Sequence, residues 1–184
     1  MDTRLSQSKS RLDIILRRFY EYPPFEKLRH SLYQDKKKQV KVTGLAGCAE
    51  SLLITSLVTN QDRPLVVITR NSETANDLYD DLVFLLGESK VGHYPSRQIL
   101  PYDFKAPVGE IMGRRIWSLS GLRDNACPVI ICPVREMVEP TIPVSVLNAN
   151  RVDIKKGEEV NIEELVAKLL NLGFRSVRLV EEVG

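Results

Sequence analysis

The chain has 184 residues, a formal net charge of +2 and ordinary fractions of charged and apolar residues. That length allows one well-buried domain or two small ones, and so small a net charge does not by itself indicate a nucleic-acid-binding protein. No apolar run approaches the roughly 20 residues of a membrane-spanning helix, and the N-terminal sequence lacks the apolar core of a secretion signal. We therefore expect a cytoplasmic protein.

The cysteines and histidines offer little material for a metal site. Cys48, Cys127 and Cys132 are odd in number and lack C-x-x-C spacing, which favours neither a disulfide framework nor a zinc site. Cys127 and Cys132 flank or lie in the apolar run PVIICP, so we expect reduced core residues. With His30 and His93 as the only histidines, we expect neither a metal centre nor a Cys-His nucleophile.

The first 35 residues predict two helices. Arg11 to Tyr20 places apolar residues at helical spacing, and Pro23 and Pro24 predict its end because proline does not continue a helix interior. A second short helix is predicted through Phe25, Leu28 and Leu32. The lysine run at 36–38 is typical of a solvated connector.

The stretch TGLAGCAESLL at 43–53 has the frame of a phosphate-binding loop. In G-x-x-x-x-G-K-[ST], glycines let backbone amides surround the phosphates, the lysine neutralises them and the hydroxyl ligates magnesium. Gly44 fits the first glycine and Ser51 fits the hydroxyl, whereas Ala49 replaces the second glycine and Glu50 replaces the lysine. A carboxylate there turns an attraction of several kcal/mol into a repulsion. We expect this degenerate loop, which also contains Gly47, to bind no ATP.

The residues around the loop predict a strand, a tight turn and a helix. The segment 39–44 alternates and ends at a glycine, as a strand before a turn does. Cys48 to Val58 predicts a helix, with apolar residues at helical spacing at Leu52, Leu53, Leu57 and Val58. For the loop taken alone, any strand-loop-helix unit with chance glycines is the better explanation of the pattern.

Further strands and helices alternate after the loop. PLVVIT, from Pro64, predicts a strand buried on both faces, and Asn71 to Leu86 predicts a helix that stops at Gly87. Its off-face carboxylates Asp77, Asp80 and Asp81 are typical of a solvated helix side. KVGHYP, from Lys90, predicts a third strand, and PVIICPV, from Pro128, a fourth.

Between these last two strands the sequence predicts a loop and then a helix. In that helix Glu110 pairs with Arg114 four residues on, and the predicted inward residues are Val108, Ile111, Met112, Ile116, Leu119 and Leu122. The alternation as a whole predicts an α/β fold with a mostly parallel sheet. A ligand of such a sheet binds outside the carboxyl ends of the strands, where Gly44 to Ser51 would lie.

The sequence changes character after Met137. Prolines indicate a boundary, and alternation through Val144, Val146 and Val152 predicts strand material. A capping box at Asn161 starts a predicted helix, and FRSVRLVEEVG predicts a final strand. This unit of about 45 residues is below the size that sustains its own core, so we expect that it lacks a continuation.

The segments TGLAGCAESLL, RPLVVITRNSETANDLYDDLVFLLG, LPYDFKAPVGEIMGRRIWSL, VIICPVREMVEP and KKGEEVNIEELVAKLLNLGFRSVRLVEEVG resemble, in order and spacing, the N-terminal part of transcription-repair coupling factors (Mfd). That part is in turn similar to the excision-repair helicase UvrB. The resemblance covers roughly residues 38–184. It implies a helicase-type, P-loop-like α/β fold with flanking helices, followed by a small, truncated α+β second domain.

The resemblance also implies a division of labour. Residues 1–37 would be an N-terminal helical segment, 38–139 the UvrB-like domain 1a, and 140–184 the start of domain 2, by which the family binds UvrA. A third piece that closes the first sheet would lie beyond Gly184. So would the RNA-polymerase-binding domain and the ATP- and magnesium-dependent DNA translocase, so RNA polymerase and DNA are expected partners of other domains only. For this part of the chain we expect no catalytic residue, no cofactor, no metal and no membrane contact.

A departure from UvrB concerns DNA. UvrB clamps DNA with a long hairpin in the region that here runs from Tyr102 to Glu110, which is too short for a two-stranded ribbon. With both ATP turnover and this clamp lost, a docking surface for UvrA would remain.

Candidate contacts for UvrA lie near the end of the chain. Arg175 is the preferred contact, because it follows the turn at Gly173 and Phe174 and because arginine is enriched at interface hot spots. Arg178 would point to the opposite face of a regular strand. Solvent exposure with weak surface pairing is an equally good explanation of either arginine.

Two other function classes stay open. The chain could be a nucleotide-binding ATPase domain of a helicase-like repair protein, which calorimetry with ATP would detect. It could also bind DNA directly, with affinity that falls steeply with salt, through Arg4, Lys9, Arg11, Arg17, Arg18 and the lysine run. No aromatic stacking pattern accompanies these charges, so we rank DNA binding last.

Overall fold

The computed structural model describes residues 12–35, 39–59, 63–97 and 109–177. The chain divides into two compact units, Met1–Met137 and Val138–Gly184. The first unit has a mixed α/β architecture, in which helices flank a small parallel sheet of three strands. The α/β class with a parallel sheet is therefore confirmed. Within the described ranges, no helix is both long and apolar enough to cross a membrane.

Both predicted N-terminal helices are present. Helix α1 covers 12–20, and α2 is Pro23–Tyr33. Pro23 and Pro24 follow the end of α1 as expected, and they also open α2, where the missing amide hydrogen costs nothing. Phe25 is buried, with its ring 5.5 Å from that of Phe19 and 5.7 Å from that of Tyr20.

The predicted strand at 39–44 is wrong. Residues 39–46 have no regular secondary structure, and all of them except Val40 are exposed. A strand needs a neighbour for its amides and carbonyls. No strand of the described chain pairs with this segment, since the sheet contains only the three strands given below.

Three of the other predicted strands, all in the first unit, are confirmed. They are β1 (Leu65–Thr69), β2 (Val91–His93) and β3 (Val129–Pro133). Both β1 and β2 pair with β3 in parallel, so the order is β1-β3-β2. All five residues of the central strand β3 are buried, as its unbroken apolar sequence predicts.

The two faces of the sheet are covered unequally. Helices α3 (Ala49–Thr59) and α4 (Ser72–Leu86) supply one core cluster, which contains Ile54, Val58, Ala75, Leu78, Leu82, Val91, Val129 and Ile131. Helix α5 (Gly109–Arg123) supplies Leu119 and Leu122 to a smaller cluster on the other side, with Tyr94, Cys127, Ile130 and Cys132. Both these cysteines are buried and free, as expected.

The prediction that β1 is buried on both faces is wrong. Val66 and Ile68 are 41% and 54% exposed, whereas Leu65 and Val67 pack against the larger cluster. An apolar run shows that a strand is hydrophobic on both faces, but the number of covering helices decides whether both are buried. In the described residues the cluster that α5 joins contains residues of β3 and Tyr94, which follows β2, but no residue of β1.

The predicted inward face of α5 is also partly wrong. The fully buried residues of this helix are Arg115, Ser118 and Gly121, while Ile116 is exposed. Ile111, Met112, Leu119 and Leu122 are half-buried, and Val108 lies outside the described residues. Small residues let the helix approach its neighbours closely: a Cβ on Gly121 would lie 2.4 Å from Sγ of Cys127, which precedes β3, and a Cβ on Gly92 of β2 would lie 3.3 Å from Ser118 Oγ. Close approach rather than apolar spacing thus selects the buried face.

The predicted ends of α4 are confirmed. The Asn71 side chain accepts a hydrogen bond from the Thr74 amide at 2.9 Å, which caps the helix. At the other end Gly87 has a φ of 92°, a left-handed conformation that glycine adopts without strain. A short 3₁₀ helix, Glu88–Lys90, then leads into β2.

The described helices that follow β3 are α6 (Val134–Met137), α7 (Val144–Ala149) and α8 (Ile162–Asn171). The predicted strand through Val144, Val146 and Val152 is wrong, because the first two lie in α7, which begins after Pro143, and the third has no regular structure. In α7 the Leu147 amide donates to the Pro143 carbonyl at 3.0 Å. Local helical bonds therefore replace strand pairs.

The end of the second unit differs partly from expectation. The predicted cap of α8 is confirmed, since the Asn161 side chain accepts from the Glu163 and Glu164 amides at 3.0 and 3.3 Å. The predicted final strand is wrong over 174–177, which have no regular structure. Its remainder, 178–184, lies outside the described residues.

Candidate functional site

The degenerate loop, Gly44 to Ser51, keeps the backbone of a glycine turn. Gly44 and Gly47 have φ values of 83° and 56°, in the left-handed region that favours glycine. The Ala49 amide donates to the Ala46 carbonyl at 3.2 Å, and α3 begins at Ala49. The turn and helix of a phosphate-binding loop are thus present, although the strand before them is not.

Glu50 lies in the first turn of α3 and is exposed. Unpaired amides at a helix N-terminus carry a partial positive charge, so a carboxylate there stabilises the helix. The same carboxylate adds a negative charge where a phosphate-binding loop has a lysine. Glu50 therefore suits the helix while opposing a phosphate ligand.

Ser51, the position of the magnesium-binding hydroxyl, is buried and has a protein partner. Its hydroxyl donates a hydrogen bond of 2.6 Å to Asp81 Oδ2 on α4. This contact ties the start of α3 to the neighbouring helix. Asp81 is exposed, as the sequence predicts. Its carboxylate accepts the hydrogen bond of Ser51, the loop residue at the position of the magnesium ligand.

The candidate docking residues lie in the second unit, just after α8. The Gly173 amide donates to the Leu170 carbonyl at 3.0 Å, and the Phe174 amide donates to the Leu169 carbonyl at 3.1 Å. With Gly173 at a φ of 92°, these two bonds form a Schellman motif. The backbone of Phe174 is thereby fixed, while its side chain is 63% exposed.

Arg175 follows this motif and is exposed. It lies in irregular structure rather than in a strand, so the alternation that separated it from Arg178 does not apply to it. Arg178 itself lies outside the described residues. The structure thus presents Phe174 and Arg175 side by side in sequence on an exposed turn.

Beside this turn, α8 carries an exposed apolar stripe. We define the stripe as Ile162, Val166 and Leu170, which recur at four-residue spacing and are all exposed. No residue of α8 is buried. The helix therefore has a strongly amphipathic sequence without a covering surface in the described part of its unit.

No protein-family model matches the chain. Among curated proteins it is 24% identical to the transcription-repair-coupling factor of Bacillus subtilis over 164 residues, which are 89% of the chain. The same identity holds for the Staphylococcus haemolyticus protein over 147 residues and for a Staphylococcus aureus protein over 143, or 80% and 78% of the chain. The chain is similar to transcription-repair-coupling factors. The resemblance seen in its motifs is confirmed.

The similarity concerns only a small part of each relative. The matched residues are 12 to 14% of the length of these three transcription-repair-coupling factors. The activities of the full-length relatives therefore cannot be assigned directly to this chain.

A buried ionic network, which the sequence did not predict, lies after the carboxyl ends of β2 and β3. Arg115 Nη1 lies 2.7 Å from Glu136 Oε2 and donates to the Pro95 carbonyl at 2.6 Å. Its Nη2 donates to the Tyr94 hydroxyl at 2.7 Å. The guanidinium also stacks on the Tyr94 ring, with its central carbon 3.9 Å from the ring centre. In open α/β sheets ligands bind in this region, and here protein side chains occupy it.

The only sequence signal for this network was weak. Arg115, Ser118 and Gly121 recur every three residues, which marks one helical face of small residues that contains a charge. The Ser118 hydroxyl donates to the His93 carbonyl at 2.7 Å on this face. Because α5 also has apolar residues on its other side, the sequence predicted that side as the buried face.

The histidines lie apart and differ in surroundings. His93 is buried, and its ring stacks on that of Tyr79 with 5.0 Å between the ring centroids. Burial lowers the pKa of His93, so its imidazole is neutral near pH 7. His30 lies 3.5 Å from Asp35 on the surface of α2. Within the described ranges, no group of three or more His, Cys, Asp or Glu side chains could hold a metal ion.

Proposed function

We propose that this chain is a non-catalytic module of transcription-repair coupling, which binds UvrA and so recruits nucleotide excision repair to stalled RNA polymerase. RNA polymerase, DNA and ATP would be handled by other domains of a longer protein. One observation carries the non-catalytic part: Glu50 takes the position of the phosphate-binding lysine, and the neighbouring Ser51 hydroxyl is bound to Asp81 at 2.6 Å.

Two side chains oppose nucleotide binding. A triphosphate would meet the carboxylate of Glu50 at the start of α3, where the lysine's attraction is replaced by repulsion. A magnesium ion would have to compete with Asp81 for the Ser51 hydroxyl. Both effects come from side chains, so the backbone turn persists without the ligand.

The docking part of the proposal rests on the exposed turn after α8. Phe174 is an exposed aromatic side chain on a fixed backbone, so binding would cost little backbone entropy there. Arg175 adds a planar cation beside it. Aromatic and arginine side chains are the types that most often dominate interface energies.

Binding of purified UvrA to the 184-residue chain tests this proposal. We expect Arg175→Ala and Phe174→Ala each to weaken binding by about 2 kcal/mol, roughly 30-fold, which biolayer interferometry measures. Arg70→Ala is the matched control, because Arg70 is an exposed arginine outside the second unit. The proposal is wrong if UvrA is captured neither by this chain nor by one extended along the sequence of its relatives.

A nucleotide-binding domain is the second candidate, and the retained left-handed glycines of the loop favour it. Calorimetry with magnesium and ATP separates the two. We expect no binding at micromolar concentrations by the natural chain, and weak binding by the double variant Ala49→Gly, Glu50→Lys. Micromolar, magnesium-dependent binding by the natural chain would establish the second candidate instead.

A further inference from the structure

A cavity of about 580 Å³ lies in the first unit, beside the segment that leads into the degenerate loop. The end of α1 and helix α2 form one wall. Residues 40–45 and the start of α3 form the other. Its apolar and aromatic lining includes Phe19, Tyr22 and Phe25 on one side and Val40, Val42 and Leu53 on the other. A volume of this size lies within the roughly 300–1,000 Å³ of small-molecule pockets.

Among the described residues that line this cavity, the charged ones have one sign. They are Lys27 on α2 and Lys41 on the facing segment, and no acidic side chain of the described chain joins them. Neither lysine forms an ion pair with any residue of the described chain. Ser31 and Thr43 add hydroxyl groups to the same lining. Low-dielectric walls concentrate the field of such uncompensated charges, which favours an anion.

We propose that this cavity binds a small organic anion with an aromatic or aliphatic body. The body would pack between α2 and residues 40–45, and the anionic group would lie between Lys27 and Lys41. Glu50, whose charge opposes anions, does not line the cavity. Gly44, Leu45 and Ala49 of the degenerate loop do line it, so the proposed site adjoins the start of that loop rather than the position of the missing lysine, and it does not depend on the proposed docking of UvrA.

A pair of matched probes tests the proposal in the 184-residue chain. The anionic probe is 8-anilinonaphthalene-1-sulfonate, and N-phenyl-1-naphthylamine has the same rings without the sulfonate. In an NMR titration we expect the anionic probe to shift the amides of residues 19–31 and 40–45 and to bind more tightly than the neutral one.

Lysine variants test whether the positive charges cause the tighter binding of the anionic probe. We expect Lys27→Ala and Lys41→Ala each to weaken binding of the anionic probe about fivefold, since a solvent-exposed ion pair at contact distance is worth about that factor. Neither change should alter binding of the neutral probe. Lys90→Ala is the matched control, because Lys90 is exposed and does not line the cavity.

A substitution that fills the cavity tests whether the probes bind inside it. Ser31→Phe keeps both lysines and places a ring in the cavity, so we expect loss of the amide shifts for both probes. Equal affinity for the two probes would overturn the proposal, as would shifts confined to α8 or unchanged binding by Ser31→Phe.

Discussion

Helices α4 and α8 have similar amphipathic sequences and opposite environments. In α4 the apolar residues Ala75, Leu78 and Leu82 are buried in a cluster shared with α3 and the sheet. In α8 the apolar stripe is exposed, and Leu147 of α7 is the one buried hydrophobic residue among those described in the second unit. Periodicity thus identifies the face that needs cover, whereas the surrounding elements decide whether cover exists.

The difference has a consequence for stability and for function. The first unit has a core of its own, so substitutions there should change its free energy of unfolding. The second unit of about 45 residues is too small to bury much surface, so its helix should depend on local bonds or on a partner. An exposed apolar face next to Phe174 and Arg175 suits a docking role.

The largest expected effect concerns the buried ion pair of the first unit. Arg115→Met should destabilise the unit by about 3–5 kcal/mol, because Glu136 would remain buried without its partner. Urea unfolding measures this, followed by fluorescence of Trp117, the single tryptophan. Arg114→Met removes the exposed pair with Glu110 from the same helix and should cost about 0.5 kcal/mol or less. Equal effects of the two changes would show that burial does not matter here.

A matched pair of leucines tests the contrast between α4 and α8 directly. Leu82→Ala should cost about 2–5 kcal/mol, since it creates a cavity in a fully buried cluster. Leu170→Ala removes the same atoms from an exposed position and should change stability by about 0.5 kcal/mol or less. Urea unfolding and hydrogen exchange of the two helices measure both. A large cost at Leu170 would mean that the stripe is already covered.

The close approach of α5 to Cys127, two residues before β3, gives the next effect. Gly121→Ala should cost about 1–3 kcal/mol, because its Cβ would lie 2.4 Å from Cys127 Sγ and 2.9 Å from Cys127 Cβ. Gly113→Ala in the same helix meets no atom within 4 Å and should stabilise by up to about 1 kcal/mol. Thermal unfolding compares them. If the steric cause is right, Cys127→Ala should recover part of the loss in the Gly121 variant.

The helix caps give the smallest effect and the most selective test of the second unit. Asn71→Ala should cost about 1 kcal/mol of the global stability of the first unit. Asn161→Ala removes an equivalent cap from α8, and we expect faster amide exchange confined to that helix rather than a change in the unfolding of the first unit. Equal changes in global stability would contradict the independence of α8.

Local sequence patterns predicted most helices and three strands. The caps at Asn71 and Asn161, the stop at Gly87 and the unbroken apolar run of β3 each act through neighbours in the chain, so they can be recognised without a tertiary structure. The substitution at Glu50 is likewise visible in the sequence, because the requirements of a phosphate-binding loop are local. Which partner holds Ser51 was not visible, since Asp81 is 30 residues away.

The wrong predictions share one cause. The segment 39–44 alternates like a strand but has no strand beside it, and Val66 and Ile68 are apolar but lack a covering helix in the described chain. At Val144 and Val146 a helix with local bonds replaced predicted strand pairs. In each case the pattern shows which structure a segment can form. Whether it forms that structure or buries that face depends on a second segment.

By itself the sequence determined the α/β class, most helices and the three parallel strands, the degenerate loop and the similarity to transcription-repair-coupling factors. Those features follow from short-range periodicity, from capping chemistry and from the identity of side chains in a motif. Tertiary structure alone decided that α5 buries Arg115 against Glu136, that α8 leaves its apolar stripe exposed, and that two lysines line one apolar cavity. These features depend on which distant segments meet, and a local pattern contains no information about its partner.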